Sequence, residues 1–495
     1  MASPTVLAAG LLLALLLYHY VIQPYCLSPL AKIPNAHFTV PLSSAWIERR
    51  RAAGKEVHTI YDAHRKHGSV VRLGPRELSV NSLSGLRTIY TGAFEKHQWY
   101  NDLFVNFHTE NMVGMVHNQP HARQKRMLSK IFSKSFLQDS PDLRDLSRIV
   151  LSQRLLPILH RAASAGDVLN VLPLFQAVGM DFTSGFLFGS RNATTCLFDL
   201  PEWKRWLDEY EQFKEMSRDD RRDGFIESWC LSLCRRMEHN DHPNDVPIAT
   251  SPVVYDQLRD SLEKDPDSRP RELAIASELL DHLVAGHETT GISFTYMMWE
   301  LSQRPDLQDE LRRELRTLSP QLKFPASDGK MDALLDIPNA SDIDALPLLD
   351  AILRETLRVH SPAPAPLPRA TPYTKDGVSL DGYDHIPGGI RISSSSYSLH
   401  RIEEVYPDSE QWQPRRWLEP EGKIHDMRRL FWPFGSGGRM CLGSNFALQE
   451  IKLVMAAVYT NYKTEIIDDE NIEQDFAFIS LPVGRKLMLK FTPVG

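Results

Sequence analysis

The stretch from Arg271 to Arg304 constrains this chain more than any other: it is mainly apolar, contains no proline, and is bounded by Pro270 and Pro305. Proline fits the first turn of a helix but not its interior. The spacing therefore predicts one helix over Arg271–Arg304, about 50 Å long. A helix of that length and character has to run through the core of a large domain, with other elements wrapped around it. Leu307, Leu311, Leu315 and Leu318 give the next helix one apolar face.

The remaining pattern is helical with few strands. Val57–His67, His121–Phe136 and Asp344–His360 read as helices, the last stopped by Ser361-Pro362. Val70–Leu73 and Glu77–Val80 flank Gly74-Pro75 and read as a hairpin, and Phe476–Phe491 reads as a second one with Pro482-Val483-Gly484 at its tip. The expected class is mainly α with small β-sheets. A length of 495 residues would suggest about three domains. No repeat or Gly/Ser linker marks a boundary, so one large catalytic domain over 37–495 is expected. A net charge of −7 argues against nucleic acid as a partner. The five cysteines are odd in number and unpatterned, which excludes a disulfide framework. Cys230 and Cys234 lie one helical turn apart, without the further ligand pair that a zinc site needs.

The N-terminus departs from soluble character. Val6–Ile22 is Leu-rich and uncharged, and would reach about 25 Å as a helix, the short end of a membrane span. Residues 1–22 are expected to be a transmembrane anchor and the proline-containing segment 23–36 a hinge. The first basic residues, Lys32, Arg49, Arg50, Arg51 and Lys55, place the body on the cytosolic side. A cleaved signal peptide is the rival, but there is no basic leading region and no Ala-x-Ala site. The Asn192-Ala-Thr194 and Asn339-Ala-Ser341 sequons would then be chance matches.

Chemistry concentrates at Phe434-Gly-Ser-Gly437-Gly-Arg439-Met-Cys441-Leu-Gly443. Each spaced residue has a task if Cys441 is an iron-bound thiolate, a ligand that pushes electron density toward an O–O bond. Phe434 can shield the sulfur. Gly437 and Gly443 let backbone N–H groups approach it, and Arg439 can pair with an acidic arm of the cofactor. A helical run, Asn445–Tyr462, follows and turns its positive end to the sulfur. The long helix carries Ala285-Gly-His-Glu288-Thr289-Thr290, polar groups that are costly in an apolar helix unless used. Gly286 leaves room for a small ligand, Thr289 can bond an upstream carbonyl, and Glu288 is a proton source. Glu355 and Arg358 stand three apart on one helical face, and Arg416 can complete a buried ion cluster.

In their order and spacing these motifs resemble the haem-thiolate monooxygenases, the cytochrome P450 family, over nearly the whole chain. The likeness is greatest to the membrane-anchored members that filamentous fungi place in secondary-metabolite pathways. The resemblance implies a single haem-binding domain of that fold, with haem b held by the Cys441 thiolate. It implies Glu288 and Thr289 as the acid–alcohol pair and His121, Lys125, Arg369 and Arg439 as propionate partners. His121 and Lys125 stand where the family usually has Trp and Arg. An acid is common before the cluster arginine, and here that place is Arg415. The implied activity is an NADPH- and O2-dependent monooxygenase acting on a small apolar molecule, a polyketide, terpenoid or hybrid scaffold, at the endoplasmic reticulum membrane. A separate NADPH-cytochrome P450 reductase would supply electrons, docking on Arg123–Lys134 with Arg428, Arg429 and Lys452. Retention of Glu288 and Thr289 argues against a haem-thiolate isomerase or dehydratase, and the anchor against a secreted peroxygenase. The rival of another class is a non-catalytic haem sensor or carrier. Phe94, Trp99, Tyr100, Phe104 and Phe107 fall where the family places a substrate lid, and residues 363–367 and 479–483 are the other expected walls.

Overall fold

The computed structural model describes residues 4–216, 220–221, 224–238, 248–264, 271–325 and 334–494. The central helix runs Arg271–Ser302, and Pro305 opens the next one, Pro305–Leu315, at its first position. Pro270 lies outside the described residues. A second apolar helix, Val171–Phe188, is buried almost throughout and lies along the central one. Glycines permit that approach. A Cβ on Gly286 would overlap Thr183, one on Gly291 would overlap Gln176, and one on Gly179 would overlap Thr290. The missing side chain of Gly286 thus serves helix packing, where the sequence suggested room for a ligand.

Helices Pro347–Val359 and Ser444–Asn461 pack on the central helix, and Leu200–Glu215 packs on Val171–Phe188. Strands are short. Val70–Gly74 pairs antiparallel with Glu77–Val80, which runs parallel to Arg391–Ser393, and Arg369–Ala370 completes that sheet. Tyr462–Asp468, Met488–Pro493 and Val168–Asn170 form another. The fold is mainly helical with small sheets.

Three element expectations change. The helix over His121–Phe136 is divided into Asn118–Leu128 and Lys134–Asp139, because Ser133 caps the second piece by accepting from the Phe136 N–H. The helix expected from Asp344 begins at Pro347, after a separate turn at Ala340–Asp344. The C-terminal tail is no self-contained hairpin: Met488–Pro493 pairs with distant strands, and the small turn before it bridges Gln474 to Pro482.

The N-terminal helix Pro4–Leu17 continues as a wider helical run, Tyr18–Leu27, past the expected Ile22. Thr5–Leu27 has a mean hydropathy of 2.1 and is unburied over its most apolar stretch, so it is long and apolar enough to be an anchor. The end of this run and the segment after it dock on the body. The Pro24 carbonyl accepts from Arg72 at 3.2 Å, and Leu30 and Ile33 are buried beside the first sheet.

Candidate active site

The Cys441 loop is fastened from several sides before it reaches the sulfur. At Gly437 the backbone has φ +70°, and a Cβ would strike the Tyr90 carbonyl, so glycine is required. Trp432 stacks edge-on against Tyr90 at 4.7 Å, and its indole N–H donates to the Ser436 hydroxyl at 2.9 Å. The Lys125 ammonium donates to the carbonyls of Gly438 at 3.0 Å and Met440 at 2.8 Å. Lys125 therefore clamps the loop and does not line the cavity described next. The Cys441 N–H donates to the Phe434 carbonyl at 2.9 Å, closing the turn.

The thiol is accessible and opens into a cavity of about 650 Å³, with protein atoms crowded around it. Burial pushes the thiol above its ordinary pKa, while the N–H groups of Gly443 and Ser444 and the charge of Lys125 pull it down. Those two amides open helix Ser444–Asn461. A Cβ on Gly443 would meet nothing, although Gly443 lines the cavity. Phe434, His121, Arg369 and Arg439 line it too. Glu288 and Thr289 reach it from the central helix.

Basic groups gather on one side. Arg439 donates to the carbonyls of Met115 at 2.7 Å and Val116 at 2.8 Å and to the Asn118 side chain at 3.1 Å. Arg369 bonds the Tyr100 hydroxyl at 3.3 Å and lies over the Tyr90 ring. Lys96 donates to the Val113 carbonyl at 2.6 Å and sits over the Tyr100 ring. These charges oppose one another. Burial, then Arg369 and Arg439, hold the Lys96 ammonium well below its ordinary value. Burial, then Arg439 and Lys96, lower His121 to about 3. Burial, then Arg369, lower Arg439 to about 10. So concentrated a set of basic groups calls for an anionic partner. Together with the thiol on one wall and the uncrowded face of Gly443, it fits the propionates and ring of a haem.

The opposite wall is the central helix. The Thr289 hydroxyl donates to the Ala285 carbonyl at 2.7 Å and faces the cavity. Glu288 is buried, and its carboxylate is held by Lys214 Nζ at 2.8 Å and by the Tyr210 hydroxyl at 3.2 Å, both on Leu200–Glu215. Lys214 is partly exposed and also reaches Glu211 at 2.7 Å, so Glu288 is linked through it toward the surface. Of the expected aromatic lid, Tyr100 and Phe104 line the cavity, while Phe94, Trp99 and Phe107 do not. Ala363, Leu367, Ile479 and Leu481 supply the further walls.

Behind the Cys441 loop, Glu355 accepts from Arg358 Nε at 2.9 Å and Nη2 at 2.8 Å, and from Arg416 Nε at 3.0 Å. The Trp417 indole and the Gln413 amide N–H groups complete its shell, each at 2.8 Å. Burial raises the Glu355 pKa, but the bonds and charge of Arg358 and then Arg416 outweigh it, and the net shift is downward. His400 ties this cluster to the loop: it bonds the Arg358 carbonyl through Nδ1 at 3.0 Å and accepts the Trp432 N–H at Nε2 at 2.8 Å. Arg415 pairs instead with Glu310 at the surface, at 2.6 Å.

The sequence did not single out Lys96, Lys214 or His400. Lys96 stands out only as a lone cation in the aromatic run Phe94–Phe104, and its neighbour Arg369 is brought in by an antiparallel bridge between remote segments. Lys214 and His400 follow no spacing rule, since both act across tertiary contacts. One expected docking residue falls away: Lys452 is buried and paired with Asp344 at 2.6 Å and Asp350 at 2.8 Å.

A cysteine at a helix start, a cavity with a basic rim and a hydroxyl-bearing central helix fit a haem-thiolate protein. The cytochrome P450 family model matches residues 34–489, and the chain belongs to that family. It is similar to the cytochrome P450 monooxygenase avaI of Aspergillus versicolor, with 28% identity over 79% of this chain and 94% of the relative. It is 25% identical to the monooxygenase hepC of Aspergillus oryzae, over 97% and 96% of the two chains. It is 23% identical to the benzoate 4-monooxygenase bphA of Aspergillus niger, again over 97% and 96%.

Proposed function

We propose that this protein is an NADPH- and O2-dependent monooxygenase that inserts one oxygen atom into a small organic molecule of a fungal secondary-metabolite pathway. The observation that carries the reading is the Thr289 hydroxyl and the Glu288 carboxylate on the wall of the cavity into which Cys441 opens. When bound, haem supplies the redox chemistry that activates dioxygen. The thiolate of Cys441 would be the iron ligand, and the N–H groups of Gly443 and Ser444 steady its charge. Lys96, His121, Arg369 and Arg439 would hold the propionates. Thr289 keeps a proton at Oγ1, which now hydrogen-bonds the Ala285 carbonyl and can turn toward the cavity. Glu288 renews that proton from outside through Lys214. Positioned proton transfer of this kind contributes about 10²–10⁴-fold in rate.

Electrons come from a separate NADPH-cytochrome P450 reductase, docked on the exposed basic segment that includes Arg126 and Lys130. The N-terminal helix anchors the chain in the endoplasmic reticulum membrane by a single pass, with the catalytic domain on the cytosolic side.

The test is the ratio of product formed to NADPH oxidised, with reductase and the converted substrate. Thr289→Ala is expected to keep NADPH consumption while product falls by roughly 10²-fold, through loss of positioned proton transfer, and hydrogen peroxide rises. Product formation by the wild type without NADPH or oxygen would overturn the reading in favour of an isomerase.

A further inference from the structure

The helix that carries Thr289 also carries Asp281 and Glu278, on the same face one and two turns beyond Ala285. Both line the cavity. At about 1.5 Å per residue, Asp281 stands roughly 12 Å along the helix from Thr289. The surrounding wall is apolar: Met112, Phe132 and Phe186 line it, and the Phe132 ring meets the His282 ring edge-on at 5.6 Å.

Two acids are placed here with, among the described residues, only a histidine within ion-pair distance. Glu278 is fully buried. One of its oxygens, Oε2, accepts from the Met112 N–H at 2.9 Å and from Gln124 at 3.4 Å. The other, Oε1, has no hydrogen-bond partner, with His282 Nε2 3.3 Å away. Among the described residues, no lysine or arginine lies within ion-pair distance of either acid. Burial, and next the charge of Glu278, raise the Asp281 carboxyl to about 7. His282 and Lys96 oppose that rise without cancelling it. A buried acid pair in an apolar wall costs stability unless a cation joins it.

We infer that the substrate carries a positively charged nitrogen, as a protonated amine or guanidinium, that seats against Asp281 and Glu278 while its apolar remainder extends along the central helix toward Thr289 and Cys441. The inference rests on the monooxygenase reading of this cavity, and it adds charge recognition to the apolar substrate class that the sequence suggested. Asp281 and Glu278 act as specificity determinants and take no part in oxygen chemistry. The aromatic wall favours a cation as well.

The test uses haem-loaded full-length protein at about pH 8, where Asp281 is ionised. Three probes of one shape are compared: a phenylbutyl trimethylammonium ion, its neutral tert-butyl isostere, and the phenylbutyl carboxylate. The quaternary nitrogen cannot ligate iron, so binding reports the cavity alone. Dissociation constants come from equilibrium dialysis and from the Soret shift. The ammonium is expected to bind roughly tenfold or more tightly than the neutral isostere, with the carboxylate weakest. Asp281→Asn is expected to bring the first two within about twofold of each other, by raising the dissociation constant of the ammonium alone. Equal binding of the ammonium and its isostere by the wild type, a preference that survives in Asp281→Asn, or no saturable binding of either would each overturn the inference. Binding is read without turnover. A charge preference in a protein that needs no NADPH would sink the reaction assignment and leave this site standing, and the converse result would do the opposite.

Discussion

The cavity has two carboxylate clusters near it, and they are built in opposite ways. Behind the Cys441 loop, Glu355 is fully buried and every lone-pair direction is answered, by Arg358, Arg416, Trp417 and the Gln413 amide. Across the cavity, Glu278 is equally buried, yet one oxygen has no hydrogen-bond partner and only His282 beside it, and among the described residues Asp281 has neither lysine nor arginine within ion-pair distance. Burial penalises both sites. Guanidinium groups overturn the penalty at Glu355, and nothing within the protein does so at Asp281. The difference teaches that a completed polar cluster secures the fold, and that an incomplete one leaves its demand for a ligand.

The comparison breaks most directly at Glu355. Glu355→Ala would leave Arg358 and Arg416 without their anion, at a cost of about 3–5 kcal/mol. Chemical denaturation should show that loss together with poor haem loading. Wild-type stability in this variant would mean that the cluster is ornamental.

Next in size is the contact that fixes the cavity-side helix. Gly286→Val would force Cβ and its methyls into Thr183, costing about 1–3 kcal/mol. Combining it with Thr183→Ala should recover part of the loss, since the clash is with that side chain. A double variant no better than the single one would place the strain elsewhere.

Asp281→Asn sharpens the comparison because its sign is reversed. The folded carboxyl has its pKa raised to about 7 from an ordinary 3.8, so the native state binds more protons than the unfolded chain between those values. Stability from this group is therefore present below about pH 4 and lost as pH rises through about 7. Glu278, His282 and Lys96 are the charged and titratable neighbours that set that shift. Asp281→Asn is expected to stabilise the substrate-free protein by about 1 kcal/mol near pH 8, and the gain should vanish on acidification. Destabilisation at pH 8 would show that the acid already has a partner.

The smallest effect on stability belongs to Thr289. Its hydroxyl bonds a carbonyl of its own helix and faces the cavity, so Thr289→Ala should change the unfolding free energy by no more than about 0.5 kcal/mol. A large loss would make the hydroxyl a structural element.

The sequence was most legible where chemistry follows local spacing. Cys441 with its glycines, the Glu355/Arg358 pair and the Ala285–Thr290 segment each sit within one loop or one helical face, and the uninterrupted apolar stretch marked the central helix. It was least legible where partners meet across the fold. Lys214 reaches Glu288 from another helix, His400 joins the ion cluster to Trp432, and Lys96 meets Arg369 only through an isolated bridge. Lys125 shows the limit of transferring a role by position: its ammonium is consumed by the Gly438 and Met440 carbonyls. The misread boundaries have local causes in Ser133 capping a new helix and Pro347 opening one.

The central claim is that Cys441 presents a thiolate to haem iron across this cavity. The most direct measurement is the carbon monoxide difference spectrum of the reduced protein, taken for the wild type and for Cys441→Ala. The wild type is expected to show the red-shifted Soret band of a thiolate-ligated haem, and the variant to lose that band. A wild type without the band, or a variant that retains it, would contradict the account.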